Sequence, residues 1–173
     1  MVFSSSSMVV GHFGEDRMKR ATANAELFEA IGARSVEGVR SALARGASLD
    51  ETNERGRKPF FNAVGFEDME IIRLLIASGA NPTDGLIASM MRRNEELARF
   101  LIEAGADVQA RLTDSGQTVL HAACDCGMVG LVRYLVNEKH LDLNSRMDDG
   151  TTALQLAESV GLDLGDLAKD RTA

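Results

Sequence analysis

From Asn24 onward the apolar residues fall into pairs of short helical faces, separated by polar stretches that carry glycine. Leu27, Ala30 and Ile31 stand at helical spacing, Arg34-Ser35 interrupts them, and Val36, Val39, Ala42 and Leu43 form a second face. Gly46 is placed to close that second helix, since only glycine enters the left-handed C-cap conformation cheaply. The same order returns at Ile71–Ala80, Leu97–Ala106 and Leu131–Val136, and Arg40, Arg73, Arg99 and Arg133 keep one register through all four, at steps of 33, 26 and 34 residues. Glu37, Glu70 and Glu96 each precede one of these arginines by three residues, the spacing of neighbours on a helix surface. Such pairs describe a solvated helix face; anion binding by the arginines is the functional alternative.

A second phrase sets the other half of the period. Gly116-Gln117-Thr118-Val119-Leu120-His121-Ala122-Ala123 reappears 34 residues later as Gly150-Thr151-Thr152-Ala153-Leu154-Gln155-Leu156-Ala157. A turn glycine, a Thr whose hydroxyl can cap a helix, and small residues that admit a close neighbour predict a tight turn entering a short helix. Between each second helix and the next first helix lies a polar run such as Ala47–Gly56, long enough for a hairpin-like finger. Helix, turn, helix and finger at a period near 33 is the arrangement of a stacked solenoid.

On these motifs residues 24–173 resemble the ankyrin-repeat family. Its Thr-Pro-Leu-His phrase appears as Thr118-Val119-Leu120-His121, as Lys58-Pro59-Phe60-Phe61 and as Thr152-Ala153-Leu154-Gln155. Its helix ending appears at Leu74-Leu75 with Gly79-Ala80 and at Phe100-Leu101 with Gly105-Ala106. The resemblance implies an all-α ankyrin-repeat solenoid of about five helix-turn-helix units, the outer two acting as caps, with short hairpin-like fingers and first helices lining a concave face. It also implies that His121 ties adjacent turns together and that Cys124 fills a small buried position. The domain is expected over 23–173, behind a flexible leader over 1–22 in which no periodicity is visible; alternatively Phe3, Val9, Val10 and Phe13 cover an apolar end of the stack.

Three departures matter. The third unit spans only 26 residues from Arg73 to Arg99, and Asn81-Pro82-Thr83-Asp84 runs almost directly into a helix predicted over 85–92, with Asp84 as its cap. Its finger is missing, so either a notch interrupts the surface or the neighbouring fingers close over it. The fourth unit gains a residue at Asn137–Leu141 in place of the Gly-Ala ending, and the last, Ala153–Ser159 then Leu162–Lys169, is rich in Asp and Gly as a polar cap would be.

Composition narrows the chemistry. The 173 residues are 45% hydrophobic and 26% charged, with 5% aromatic, no Trp and two prolines, a balance for closely packed helices. The net charge of −7 and the lack of a basic stripe argue against nucleic acid as a partner. No stretch reaches the roughly 20 apolar residues of a membrane span, the start lacks a secretion signal, and Val2 excludes N-myristoylation. Cys124 and Cys126 stand too close for a framework disulfide, so a reducing, cytoplasmic setting is expected.

His121, Cys124 and Cys126 form the one cluster with metal-ligand or nucleophile chemistry. His121 and Cys124 share a helix face, but no fourth ligand is visible because His12 and His140 are remote in sequence. Phosphate loops, serine elbows and paired helix histidines are absent, and acids such as Asp148, Asp149 and Asp163 stand where turns and caps want them. No catalytic residue, metal or cofactor is therefore assigned.

The expectation is a non-catalytic, monomeric protein-interaction module, an adaptor or inhibitor that grips a protein partner on its concave face; a metal- or thiol-dependent enzyme or sensor using His121, Cys124 and Cys126 is the alternative. The repeat register nominates Arg55, Arg57, Gly65 and Phe66 from the second unit, Asp114, Gln117, Asp125 and Cys126 from the fourth, and Asp148, Asp149 and Thr151 from the fifth. Phe66 reads equally as an exposed hot spot or as packing between helices.

Overall fold

A computed structural model describes residues 6–164 and 167, with side chains from residue 15 onward. The chain divides into two compact units, Met1–Ala80 and Asn81–Ala173.

The first unit holds α1 (Ser6–Gly32), α2 (Val36–Ala44), α3 (Pro59–Phe66) and α4 (Met69–Ala77). Where the sequence shows no periodicity before Ala23, α1 is already helical from Ser6. Among the side chains described, burial begins at Ala23, followed by Leu27, Ala30 and Ile31, whereas 15–22 are exposed. Helix formers such as Glu15, Arg17, Met18, Lys19 and Ala21 sustain this segment without an apolar stripe, so periodicity could not reveal it. The side chains of Val9, Val10 and Phe13, and Phe3 altogether, lie outside the described residues. α1 packs on α2 and α3, and α4 on α2 and α3.

In this unit both second helices, α2 and α4, begin on a polar cap and end in a left-handed turn. Ser35 accepts from the Gly38 N–H at 3.1 Å and Asp68 from the Ile71 N–H at 3.2 Å. At the other end Gly79 takes φ +98° and lets the Ala80 N–H reach back to the Leu75 carbonyl at 2.9 Å, the Schellman geometry.

The second unit opens with a 3-10 turn at Pro82–Gly85, followed by α5 (Leu86–Met91), α6 (Glu95–Glu103), α7 (Val119–Asp125), α8 (Val129–Asn137) and α9 (Ala153–Ser159). The turn stands where a finger is missing. Asn81, not Asp84, supplies its cap, accepting from the Thr83 N–H at 3.0 Å, and Gly85 precedes α5 without a side-chain cap. Asn94 caps α6 through the Leu97 N–H at 2.9 Å. α7 packs on α5, α8 and α9, and α6 on α5 and α8. The extra residue of the fourth unit is absorbed at His140, whose φ of +55° allows the Leu141 N–H to bond the Leu135 carbonyl at 3.1 Å. The Arg99 guanidinium lies 4.4 Å over the Tyr134 ring between α6 and α8. In the last unit 162–164 are irregular with Leu164 buried, and most of the remainder to Lys169 lies outside the described residues.

The fingers are tight turns rather than strands. Asn53 N–H donates to the Arg57 carbonyl at 3.0 Å, Leu112 N–H to Gln117 at 2.7 Å and Met147 N–H to Thr151 at 2.9 Å. An isolated antiparallel bridge, Arg146 with Thr152, is the one β pairing among the described residues.

Candidate functional site

In the first unit the finger, α1 and α3 enclose an open groove of about 700 Å³. Asn53 shapes the finger by accepting from the N–H groups of Arg55 and Arg57 at 3.0 and 3.1 Å, an Asx turn built by the asparagine itself. This holds Arg57 with its guanidinium 4.9 Å over the Phe61 ring, and leaves Arg55 exposed at the tip. Phe66 closes one end of the groove at 38% exposure. Its carbonyl accepts from Arg34 Nη2 at 3.0 Å, and the same guanidinium stands 6.0 Å from its ring. Arg55, Arg57 and Phe66 thus border one concavity, with Asn24 and Phe28 of α1 as its opposite wall. Gly65 lies half-buried on α3, and a Cβ there would meet nothing within 4 Å.

In the second unit the nominated residues separate into two groups. Gln117, Asp125 and Cys126 line a pocket of about 150 Å³ beside α5. Asp114, Asp148, Asp149 and Thr151 belong instead to the turns of the fourth and fifth fingers, which are laced together. Arg111 Nη2 donates to Asp148 Oδ2 at 2.5 Å and reaches the Asp114 carbonyl at 3.4 Å, while Asp148 N–H donates to the Ser115 carbonyl at 3.1 Å. The bond to Asp148 raises the Arg111 pKa above its usual value. Both partners are exposed, so water screens the pair and its role is orientation more than stability. Asp149 accepts from the Thr151 N–H at 2.9 Å, and that bond first of all holds its carboxyl below the ordinary value.

The His121 cluster is built for structure. His121 is fully buried, and its Nε2 lies 2.9 Å from the Ser145 carbonyl. A carbonyl only accepts, so Nε2 carries the proton and Nδ1 is the acceptor. Nδ1 then takes the Thr118 hydroxyl at 2.9 Å and the Thr118 N–H at 3.4 Å, the reciprocal contact of a capping box at the start of α7. Both ring nitrogens are committed within the protein. Burial pushes the Cys124 thiol up to about 12, and burial first, then Asp125, raises Cys126 against a smaller opposing effect of Arg93. Raised thiols are poor nucleophiles and poor metal ligands. Among the described residues no three His, Cys, Asp or Glu side chains are grouped to hold a metal ion, and no helix is long and apolar enough to cross a membrane.

The family model of ankyrin repeats in three copies matches residues 86–164, and that of ankyrin repeats in many copies matches 27–76. The chain belongs to the ankyrin-repeat family. It is 30% identical over 127 residues to the Neurogenic locus Notch protein of Drosophila melanogaster, covering 70% of this chain and 5% of that protein. It is 30% identical over 142 residues to the Nuclear factor NF-kappa-B p105 subunit of Gallus gallus, covering 76% of this chain and 14% of that protein. With Neurogenic locus notch homolog protein 1 of Homo sapiens the identity is 39% over 69 residues, 39% of this chain and 3% of the relative. The chain therefore spans a small fraction of the relatives it matches. Ankyrin repeats are generally protein-protein interaction modules.

Several residues of these surfaces escaped the repeat register. Phe28, Met91 and Leu112 line the two concavities without belonging to a named motif, and the Arg111–Asp148 pair joins positions 37 residues apart. For Met91 a signal existed: the short unit, whose absent finger leaves the end of its first helix bare.

Proposed function

We infer that this ankyrin-repeat chain is a non-catalytic adaptor or inhibitor that binds a protein partner through its finger turns and first-helix ends. It works as a monomer, in the reducing interior of the cell, and needs no metal or cofactor. The observation that carries this reading is the groove of the first unit. An arginine stacked on one aromatic ring and a second aromatic left partly exposed at the rim are the residue types that dominate protein interfaces. The partner-contacting set is Arg55, Arg57 and Phe66 there, and Asp114, Gln117, Asp125, Cys126, Asp148, Asp149 and Thr151 in the second unit. The buried His121 and the raised thiols favour this reading over an enzyme or metal sensor.

The test is affinity capture from the native cell with wild-type protein and with Arg55→Ala/Phe66→Ala, followed by titration of the captured partner. Loss of about 30-fold or more in affinity is expected for a central aromatic contact. Unchanged affinity in the double variant, or stoichiometric zinc that disappears with Cys126→Ser, overturns the reading.

A further inference from the structure

The missing finger of the third unit leaves a specific cavity behind. Where another unit would place its turn, the chain makes only the 3-10 turn Pro82–Gly85 and enters α5 at once. Ile87, Met90 and Met91 of α5, together with Leu112 of the fourth finger, form the apolar wall of the 150 Å³ pocket. Met91 is 66% exposed, a large apolar side chain left at the mouth. The exposed Asp125 carboxylate and the half-buried Cys126 at the end of α7 complete the rim, and the Cys126 thiol points its weak donor at the Met90 carbonyl, 3.9 Å away.

Size, lining and charge converge on one kind of occupant. A cavity of about 150 Å³ takes a group as large as benzene, which is the bulk of one Leu, Met or Phe side chain. Methionines suit such a site because their flexible thioethers repack around different shapes. The second unit as a whole is acidic: residues 81–173 carry 15 acidic against 9 basic residues, whereas 1–80 carry 11 against 10. An acidic field with Asp125 at the rim favours a cation beside the anchor and speeds its encounter.

We propose that the notch beside α5 is an anchor pocket for a peptide segment of the partner, one that inserts a single bulky apolar side chain and sets a Lys or Arg against Asp125. This rests on the interaction-module reading and names the chemistry of one partner segment. The Arg93 guanidinium acts on Cys126 from the same neighbourhood, so the cation of the peptide is held on the Asp125 side.

The experiment is panning of a random-peptide phage library on the full chain. Enriched peptides are expected to pair a Leu, Met or Phe with an adjacent Lys or Arg. A synthetic peptide of the top sequence should slow alkylation of Cys126 by iodoacetamide. Its affinity should fall about 30-fold or more in Gln117→Trp, which fills the pocket from its half-buried wall, and about tenfold in the exposed Asp125→Arg. Far-UV circular dichroism melts of both variants establish that they fold. Absence of any enriched peptide, enrichment without that pair, unaltered alkylation of Cys126, or full binding by a folded Gln117→Trp each overturns the pocket. A partner captured equally well by wild type and Gln117→Trp but lost from Arg55→Ala/Phe66→Ala overturns the pocket while leaving the interaction module intact.

Discussion

The start of α7 and the start of α3 occupy the same place in the repeat and are built by opposite means. At α7 the turn is held by polar contacts: Thr118 and His121 cap the helix, and His121 reaches the Ser145 carbonyl of the next finger. At α3 no side chain caps the helix; Pro59 presets its first turn and the adjoining Phe60 is almost wholly buried. Both ring nitrogens of the buried His121 are already bonded, so this side chain has nothing left to offer a ligand. The α3 version is held by apolar packing, and its remaining aromatics stay near the surface, Phe61 under Arg57 and Phe66 at the groove. One repeat position thus serves as an internal tie in one unit and as a platform in the other.

That contrast breaks most sharply at Phe60. Removing a fully buried phenyl group costs about 3–5 kcal/mol, so Phe60→Ala should show this loss in urea denaturation; a loss below about 1 kcal/mol would mean that packing does not hold α3. At α7, His121→Ala strands the Thr118 N–H and leaves the Ser145 carbonyl with only the longer bond from the Ala153 N–H at 3.3 Å, at a cost of about 2 kcal/mol. His121→Gln should recover part of this, because Gln155 makes the corresponding cap with Thr152 in α9, its Oε1 accepting the Thr152 N–H at 2.9 Å. Equal losses for Ala and Gln would show that the cap contributes nothing and the Ser145 contact everything. The smallest effect concerns Asp149 in the same finger system. Its carboxyl titrates below its ordinary value, chiefly because it accepts the Thr151 N–H, so its stabilisation is present above that ordinary value and is lost as pH falls through the lowered one. The melting-temperature difference between wild type and Asp149→Asn should be visible near pH 7 and vanish at about pH 2.

The repeat frame was legible because burial and periodicity coincide in it. Ile71, Ile72 and Leu75 stand on one face of α4 and are all fully buried, and Gly79 turns where the helix ending requires it. α1 over 15–22 was not legible, since these exposed residues carry no buried stripe to impose a period. Asp84 misled because an acid before an apolar run looks like a cap, whereas Asn81 and Pro82 had already set the turn. At the site, Arg55, Arg57 and Phe66 share a groove as their common finger and helix would require. Asp148 was nominated as a partner-facing residue; that Arg111 from the preceding finger engages it was not legible, because no local pattern relates residues so far apart in sequence.

The stack of Arg99 on Tyr134 has a use in the laboratory. Tyr134 is the only tyrosine and the chain has no tryptophan, so its near-ultraviolet absorption and emission beyond those of phenylalanine come from one ring between α6 and α8. Far-ultraviolet dichroism, in contrast, collects the helices of both units. In stacked repeats each unit contributes its own stability plus that of its neighbours' interfaces, so the halves need not melt together. Two optical signals of the unlabelled protein therefore separate the fate of residues 81–173 from that of the whole, and any gap between their midpoints measures how far the two units act as one.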